Sequence, residues 1–302
     1  MKLDEAIELE GNVKKQLPWT GERLVTQVND HVGTIEHLHR YAFAMEYVKN
    51  KVILDIASGE GYGSNLLAQV ATKVIGVDIS EEAVSFASQK YVRTNLEFKV
   101  GSADLIPLPD NCVDVVVSFE TLEHHEKHEE MMQEVKRVLK PDGLMIISTP
   151  DKSIYHRRDP DNVYHVKELY VSEFESLIKK YFKKSSFLEQ RVVFGSFLSS
   201  KLPNESERLN FYSGDFNQVT SGLDYSLDFL NQPFFILCLA SDQDVFIKEK
   251  SFFDGGDVYQ KNESNFKERI DEFQKEMNFI NNSSILRLLR KVLKKTKHIF
   301  RF

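Results

Sequence analysis

Residues 52–80 constrain this chain more than any other stretch, because they hold two acids separated by a glycine-rich turn. An apolar run ends at Asp55 and leads into a turn that contains Gly59 and Gly61. A second apolar run then ends at Asp78. This order predicts the nucleotide-binding half of a Rossmann-like βαβ unit, in which the second acid accepts hydrogen bonds from ribose hydroxyls.

Asp55 indicates which of two kinds of ligand such a unit binds. A dinucleotide places its pyrophosphate over the glycine turn, where helix amides attract negative charge, and a carboxylate there would repel it. S-adenosylmethionine carries an ammonium and a sulfonium instead, and Asp55 attracts both. The GxGxG spacing also differs from the GxGxxG of dinucleotide sites. We therefore expect S-adenosylmethionine; a glycine turn that binds no ligand is the alternative.

The sequence LDIASGEGYGS, residues 54–64, resembles the first motif of the class I S-adenosylmethionine-dependent methyltransferases. The resemblance covers residues 51–150 strongly and extends weakly to residue 241. It departs from the usual pattern at Ala57, where a glycine is common. Because alanine is small and can hold an ordinary turn conformation, we expect donor binding to be retained.

The resemblance implies an α/β fold, a Rossmann-like doubly wound seven-stranded sheet with helices on both faces. Alternating strand and helix patterns through residues 51–148 agree with a parallel sheet. We expect residues 1–50 to form an N-terminal segment with a donor-covering helix, and residues 51–245 to form the methyltransferase domain. An insertion is expected at about 201–232, and a C-terminal helical extension over 257–302.

The resemblance also implies which residues line the donor pocket. Asp78 would bind the ribose, Ile79 would pack on adenine, and Asp104 would accept from the adenine amine. Arg40, on a helix before the first strand, could bind the donor carboxylate with two hydrogen bonds. The alternatives are structural roles without a ligand: Asp104 would be an ordinary turn acid, and Arg40 would lie on a solvated helix face. The full predicted set is Arg40, Tyr41, Asp55, Ala57, Gly59, Gly61, Asp78, Ile79, Ala103, Asp104, Leu105, Phe119 and Glu120.

The fourth predicted strand ends in SFETLEHHE, at the edge where open α/β sheets present ligands. The resemblance places Glu120 and His124 where donor and acceptor meet. His124 is the first candidate for general base, since imidazole titrates near neutral pH, and His165 is the second. A surface histidine among acids is the alternative for His124. The HHEKH run also invites a metal site, but the resemblance implies none, so we expect no metal.

The C-terminal end has a charge opposite to that of the rest. Residues 278–302 contain no acid and seven Lys or Arg; removing these from the net charge of −7 leaves −14 elsewhere. On a helical wheel the apolar residues of 285–302 fill one arc of roughly 160°, with the basic residues opposite. This pattern favours a helix at an anionic membrane surface. A helix packed on the acidic domain and a nucleic-acid-binding tail are the alternatives; we expect no nucleic acid.

Residues 259–282 carry apolar side chains at spacings of four, three, four and three, from Phe266 to Ile280. This spacing is compatible with a short coiled coil that joins a homodimer, and equally with an amphipathic helix docked on its own domain. The start of the chain lacks an apolar signal core, and Cys112 and Cys238 form no metal or disulfide pattern. We expect a cytoplasmic protein, peripheral at the inner membrane face if the tail binds lipid.

Three segments outside the central motif indicate the chemical class of the methyl acceptor. GERLV, EHLHRYAFA and YHVKEL together resemble methyltransferases of bacterial surface-polysaccharide (O-antigen) assembly, which act on sugar hydroxyls. The resemblance therefore implies O-methylation of a sugar in a glycan or in its nucleotide-sugar precursor. The alternatives are methylation of a soluble metabolite, an aminosugar nitrogen or a lipid quinone precursor, and a non-catalytic scaffold that binds S-adenosylmethionine.

Overall fold

The computed structural model describes residues 17, 23–26, 31–193, 211–214, 219–222, 233–246 and 251–282. The chain divides into two compact units, Met1–Phe253 and Asp254–Phe302. Throughout these described ranges, no helix combines the length and apolar character that crossing a membrane requires.

Nine strands occur in the described part of the first unit: β1 Val52–Ile56, β2 Lys73–Asp78, β3 Leu96–Val100, β4 Val113–Phe119, β5 Leu139–Pro150, β6 Lys184–Gln190, β7 Phe211–Gly214, β8 Val219–Gly222 and β9 Phe235–Ser241. Seven of them form one sheet in the order β3-β2-β1-β4-β5-β9-β6, and β7 and β8 form a separate antiparallel pair. The predicted seven-stranded α/β sheet is confirmed.

Strand direction sets where a ligand can bind. The strands from β3 to β5 run parallel, whereas β9 is antiparallel to both of its neighbours, β5 and β6. The strand order reverses beside β1, which pairs with β2 on one side and β4 on the other. Open α/β sheets bind ligands outside the carboxyl ends of the strands at such a reversal. The ends of β1, β2 and β4 therefore mark the candidate site.

Among the described residues of the first unit, six α-helices connect or cover the strands: α1 His31–Val48, α2 Tyr62–Leu67, α3 Glu81–Lys90, α4 His128–Val138, α5 Lys152–Arg158 and α6 Val171–Tyr181. The predicted cap of α3 is confirmed, since the Ser80 hydroxyl accepts from the Ala83 amide at 3.2 Å. Two acids in the first turn of α3 add a favourable interaction with the helix dipole.

Two boundaries differ from the sequence patterns. Helix α2 ends at Leu67, before the apolar Val70, because the Asn95 amide donates to the carbonyls of Ala68 and Ala71 at 2.8 and 3.0 Å. These bonds satisfy backbone acceptors that a longer helix would have used. Strand β5 begins five residues earlier than the predicted Leu144 start, since an irregularity in register lets Leu139 pair with the first residue of β4.

The core has two layers, one on each face of the sheet. Leu54 and Val116 point to the face covered by α4 and α6, whereas Ile53 and Val115 point to the face covered by α1 and α2. All four side chains are fully buried. Burial on both faces explains the continuous valine run of β4, since a half-exposed strand would alternate apolar and polar residues.

The second unit contains one described helix, α7 Gly256–Asn282. Its predicted apolar stripe is exposed at Phe266, Ile270, Phe273 and Met277. The side chain of Ile280, the last residue of the stripe, lies outside the described residues. The predicted basic helix at 285–302 also lies outside them. The same holds for most of the predicted insertion at 201–232.

Candidate functional site

The glycine turn between β1 and α2 has an unusual backbone. Ala57, Gly59 and Gly61 have φ angles of 60°, 55° and 87°, in the left-handed region that favours glycine. A Cβ at Gly61 would also lie 2.8 Å from the ring of Phe98 and from the Cβ of Ala87. The expectation that Ala57 holds an ordinary turn conformation is wrong. The turn imposes a left-handed conformation there, which costs a non-glycine residue about 1 kcal/mol.

Asp55 ends β1 in a buried pocket. Its carboxylate accepts a hydrogen bond of 2.6 Å from the Ser64 hydroxyl and bonds of 3.2 and 3.4 Å from the Tyr41 hydroxyl. Burial raises the pKa of Asp55 to about 7; these two hydrogen bonds oppose the rise, and the nearby charge of Asp78 adds to it. A cation bound beside Asp55 would offset the cost of burying its charge.

Asp78 ends β2 and organises the turn. Its two carboxylate oxygens accept from the backbone amides of Gly59 at 2.7 Å and Ser80 at 2.9 Å. Each carboxylate oxygen has two acceptor directions, so ribose hydroxyls could still donate to Asp78. This acid therefore fixes the glycine turn as well as offering a ribose contact.

The predicted adenine side lies after β2 and β3. Ile79 and Leu105 are 76% and 73% exposed, which is high for large apolar side chains and suits a surface that a ligand covers. Ala103 is partly buried. Asp104 forms an ion pair with Lys127, and this hydrogen bond is the main reason that its pKa falls to about 2. Asp104 is therefore charged at neutral pH, with a partner that the sequence did not suggest.

Helix α1 carries Arg40 to the carboxyl edge of the sheet. The Arg40 side chain is buried; its Nε donates to Gln190 Oε1 at 2.6 Å, and its guanidinium lies 4.3 Å from the centre of the Phe235 ring. The guanidinium Nη1 and Nη2 atoms are buried without a hydrogen-bond partner, although Nη1 lies 3.3 Å from Glu120 Oε1. Donors left over on a buried guanidinium suit an anionic group of a ligand.

Glu120 follows β4 directly and has a φ angle of 53°, a strained backbone for a non-glycine residue. Its carboxylate accepts from the Ser148 hydroxyl at 2.6 Å and faces Arg40. Phe119, one residue earlier, packs edge to face on Tyr41 with ring centres 5.0 Å apart. The end of β4 is thus tied both to β5 and to α1.

The two candidate bases lie together. The rings of His124 and His165 are 5.3 Å apart, edge to face. His124 Nδ1 donates to the Tyr164 carbonyl at 3.1 Å, and His165 Nδ1 donates to Glu168 Oε1 at 2.6 Å. Glu123, which is fully buried, offers a carboxylate oxygen within 4.8 Å of a ring nitrogen of both histidines.

Residues 54–147 match the family described as a methyltransferase domain. A relative from Mycolicibacterium smegmatis, named "Probable S-adenosylmethionine-dependent methyltransferase", is 34% identical over 166 residues, covering 54% of this chain and 64% of that protein. A relative of the same name from Mycobacterium tuberculosis is 35% identical over 165 residues, covering 54% and 60%. The chain thus spans less than two thirds of the length of these relatives.

Over this matched segment the chain is similar to proteins named as S-adenosylmethionine-dependent methyltransferases. A solved S-adenosylmethionine-dependent methyltransferase from Thermotoga maritima has the same fold, with a TM-score of 0.50, 18% identity, and coverage of 70% of this chain and 90% of that one. The prediction of S-adenosylmethionine as the cofactor is confirmed.

Residues at the carboxyl edge of the sheet offer groups that fit this cofactor. Arg40 offers buried donors for a carboxylate, Asp55 a buried acid for a cation, and Asp78 acceptor directions for hydroxyls. These three residues come from α1, β1 and β2, whose ends lie at one edge of the sheet. Their assignment as donor ligands stays a prediction.

Sequence reasoning missed the residues that support the predicted ones. Ser64 bonds Asp55, Ser148 bonds Glu120, Gln190 bonds Arg40, and Glu168 bonds His165. Only the Glu168 partnership had a local signal, since Glu168 follows His165 by three residues. Ser64 lies nine residues after Asp55 in the same motif, whereas Ser148 and Gln190 come from distant strands that only the fold brings close.

Proposed function

We propose that this chain transfers a methyl group from S-adenosylmethionine to a sugar hydroxyl, in a bacterial surface glycan or in its nucleotide-sugar precursor. The observation that carries the proposal is the His124–His165 pair, whose rings lie 5.3 Å apart, with His124 five residues after the end of β4. S-adenosylmethionine supplies the activated methyl carbon, and the chain must hold an acceptor oxygen near it and remove that oxygen's proton.

The imidazole of His124 suits the proton-transfer role. Donation by Nδ1 to the Tyr164 carbonyl leaves the basic lone pair on Nε2. In the transfer, the acceptor oxygen forms a bond to the methyl carbon, the carbon–sulfur bond breaks, and its electron pair stays on sulfur. The hydroxyl proton passes to His124 Nε2 and then to solvent. His165, held by Glu168, orients the acceptor or takes over as the base.

The surroundings of the pair suit a sugar. Tyr155 stacks on His165 with ring centres 4.8 Å apart, and Tyr164 is 46% exposed. Glu168 adds a carboxylate beside His165, and carboxylate oxygens have more than one acceptor direction. Aromatic faces combined with charged acceptors complement the C–H faces and the hydroxyl edges of a sugar ring. The likeness of GERLV, EHLHRYAFA and YHVKEL to polysaccharide-assembly enzymes supports the same class.

An acceptor screen tests the proposal. The full chain is incubated with S-adenosylmethionine and, separately, with nucleotide sugars, lipid-linked oligosaccharides, aminosugars and quinone precursors, while S-adenosylhomocysteine is measured. A methyl ether on a sugar is the expected product, and His124→Ala should lower its rate by about 100-fold or more. Product from another acceptor alone would overturn the sugar assignment, and binding of the donor without any product would favour a scaffold.

We also propose that the protein works in the cytoplasm, at the inner face of the membrane, through the basic helix that the sequence predicts at 285–302. The seven positive charges and the continuous apolar arc support this placement. Vesicles with anionic lipid should retain the full chain, whereas vesicles of neutral lipid should not. Reversing the charges of Lys294, Lys295 and Lys297 should abolish retention; unchanged retention would contradict the proposal.

The exposed stripe on α7 supports a further proposal, that two copies of the chain associate through residues 259–282. Phe266→Glu should convert a dimer to a monomer in sedimentation velocity, while Lys267→Glu, a neighbouring exposed position outside the stripe, should not. A monomeric native chain would contradict this proposal.

A further inference from the structure

Glu123, His124 and His165 form a cluster of three side chains that could each bind a metal ion. One ligand atom from each residue lies within 4.8 Å of the corresponding atoms of the other two. No other group of three or more such side chains occurs among the residues that the structure describes. Two imidazoles and one carboxylate form the donor set of three-ligand zinc sites that keep a position open for water or substrate.

The second nitrogen of each imidazole is anchored in the way that metal ligands require. His165 Nδ1 donates to a carboxylate, Glu168, at 2.6 Å, and His124 Nδ1 donates to the backbone carbonyl of Tyr164 at 3.1 Å. Each bond selects the tautomer whose basic lone pair is on Nε2. Histidines that bind metals almost always donate their other N–H to a carboxylate or a carbonyl in this manner.

The Glu123 carboxylate lies where its negative charge would balance the positive charge of a bound metal ion. Glu123 is 1% exposed, and its Oε2 accepts a long hydrogen bond of 3.3 Å from the Thr149 hydroxyl. A buried carboxylate usually has a cation or several strong hydrogen bonds as partners. The Glu123 backbone carbonyl, in turn, accepts from the Lys167 amide at 3.0 Å, which ties the turn after β4 to the loop that carries His165.

The separation of the ligand atoms defines the movement that binding requires. In a tetrahedral site with bonds of about 2.1 Å, ligand atoms lie about 3.4 Å apart. The 4.8 Å limit in the structure is longer, so the side chains would have to close by about 1 Å to reach this spacing. Rotation of His124, which lies in a single 3₁₀ turn at Leu122–His124, can supply such a shift.

We propose that Glu123, His124 and His165 bind a divalent transition-metal ion of the zinc class, with a coordination position left open towards the acceptor side of the site. Imidazole and carboxylate together suit zinc and cobalt better than they suit magnesium, which prefers oxygen ligands and keeps its waters. The expectation of no metal followed from the resemblance and weighed only the HHEKH run, which contains His124 but neither of the other two residues. The other histidine comes from a loop that the fold brings back.

The role of the ion rests on the proposed function. Because Nε2 of His124 would bind the ion, His124 could not also act as the base. The ion would take over this role, since a bound divalent ion lowers the pKa of a coordinated hydroxyl and the acceptor proton can leave to solvent. The ion would thus deepen the sugar proposal, since vicinal hydroxyls are suitable ligands for an open position. Binding of the metal itself can be measured without an acceptor and without turnover.

The test titrates Co²⁺ into the full chain after chelation and dialysis, with visible absorbance as the readout, and repeats the titration with Zn²⁺ by calorimetry. About one equivalent should bind, with the intense visible bands of four-coordinate cobalt. Glu123→Gln, His124→Ala and His165→Ala should each weaken binding at least tenfold, and Glu168→Gln should weaken it by about 10- to 100-fold. The matched control is His156→Ala, an exposed histidine on α5 outside the cluster.

Each outcome bears on the proposal. Absence of binding to the native chain, or equal affinity of the native chain and the three cluster variants, would overturn it. If Glu123→Gln fails to fold, His124→Ala decides, because the His124 side chain is partly exposed and its loss leaves the core intact. Calorimetry with S-adenosylmethionine on the same proteins separates the two proposals: metal binding without donor binding refutes the proposed function alone, and donor binding without metal binding refutes this inference alone.

Discussion

The Ser64 hydroxyl donates a hydrogen bond of 2.6 Å to the carboxylate of Asp55, inside a pocket where burial raises the pKa of that acid to about 7. Asp55 is therefore divided between its neutral and charged forms at neutral pH in the absence of a ligand. This division couples donor binding to pH, since only the charged form attracts the cationic groups of S-adenosylmethionine.

We predict that S-adenosylmethionine binds more tightly as pH rises through the pKa of Asp55. Between pH 5.5 and 7.0 the dissociation constant should fall on the order of tenfold, because the protonated fraction of the acid is lost. Calorimetric titrations across this range measure the effect. The control is Asp55→Asn, which should bind weakly with no such slope; a parallel slope in the variant would exclude Asp55 as the titrating group.

The same pKa predicts how stability depends on pH without ligand. The folded chain holds the Asp55 proton up to about pH 7, whereas the unfolded chain releases it near the ordinary value of 3.8. The folded state therefore binds more protons between these values, and the free energy of unfolding should fall as pH rises from 4 to 7. Urea unfolding at several pH values checks this, with Asp55→Asn expected to show a shallower fall and higher stability at pH 7.

Ala57 provides a prediction about the turn. Its φ of 60° favours glycine, so Ala57→Gly should raise the free energy of unfolding by about 0.5 to 1 kcal/mol, after the entropy cost of glycine is deducted. Thermal unfolding measures the shift. Ala42→Gly, on the exposed face of α1, is the control and should lower stability by a similar amount. A loss of stability in Ala57→Gly would mean that the left-handed conformation is not a strain there.

Arg40 should contribute to S-adenosylmethionine binding through its planar guanidinium, which can donate two hydrogen bonds to one carboxylate. Arg40→Lys keeps the charge but removes the planar donors, so we expect the dissociation constant for S-adenosylmethionine to rise about tenfold. The control Arg137→Lys alters another multiply bonded arginine, which bonds Glu134 and Asp110 on the surface. It should lower stability and leave donor affinity unchanged. Equal effects of both variants on affinity would indicate a general loss of fold.

The sheet could be predicted from the sequence because its signals are local. The valine run of β4 and the two acids flanking the glycine turn each mark one element, and parallel pairing follows from their order. The place of the antiparallel β9 between β5 and β6 could not be predicted in this way, because no local pattern shows which strands it pairs with.

The candidate site was only partly predictable, because its contacts are long-range. His124 and His165 were each proposed separately, yet nothing in the sequence indicated that their rings meet across a gap of 41 residues. The sequence did not single out Glu123, because a sequence alone does not distinguish a buried acid from an exposed one. The conformation of Ala57 was misjudged for a related reason, because the turn around a residue decides its φ angle.

Binding of S-adenosylmethionine to the native chain and to Asp78→Ala tests the central claim most directly. Calorimetry should show one site in the native protein and at least a 100-fold loss of affinity in the variant, since Asp78 holds the glycine turn and is the predicted ribose ligand. Glu97→Ala, an exposed acid on β3, should bind like the native chain. Absence of binding to the native protein, or equal binding by Asp78→Ala, would contradict the account.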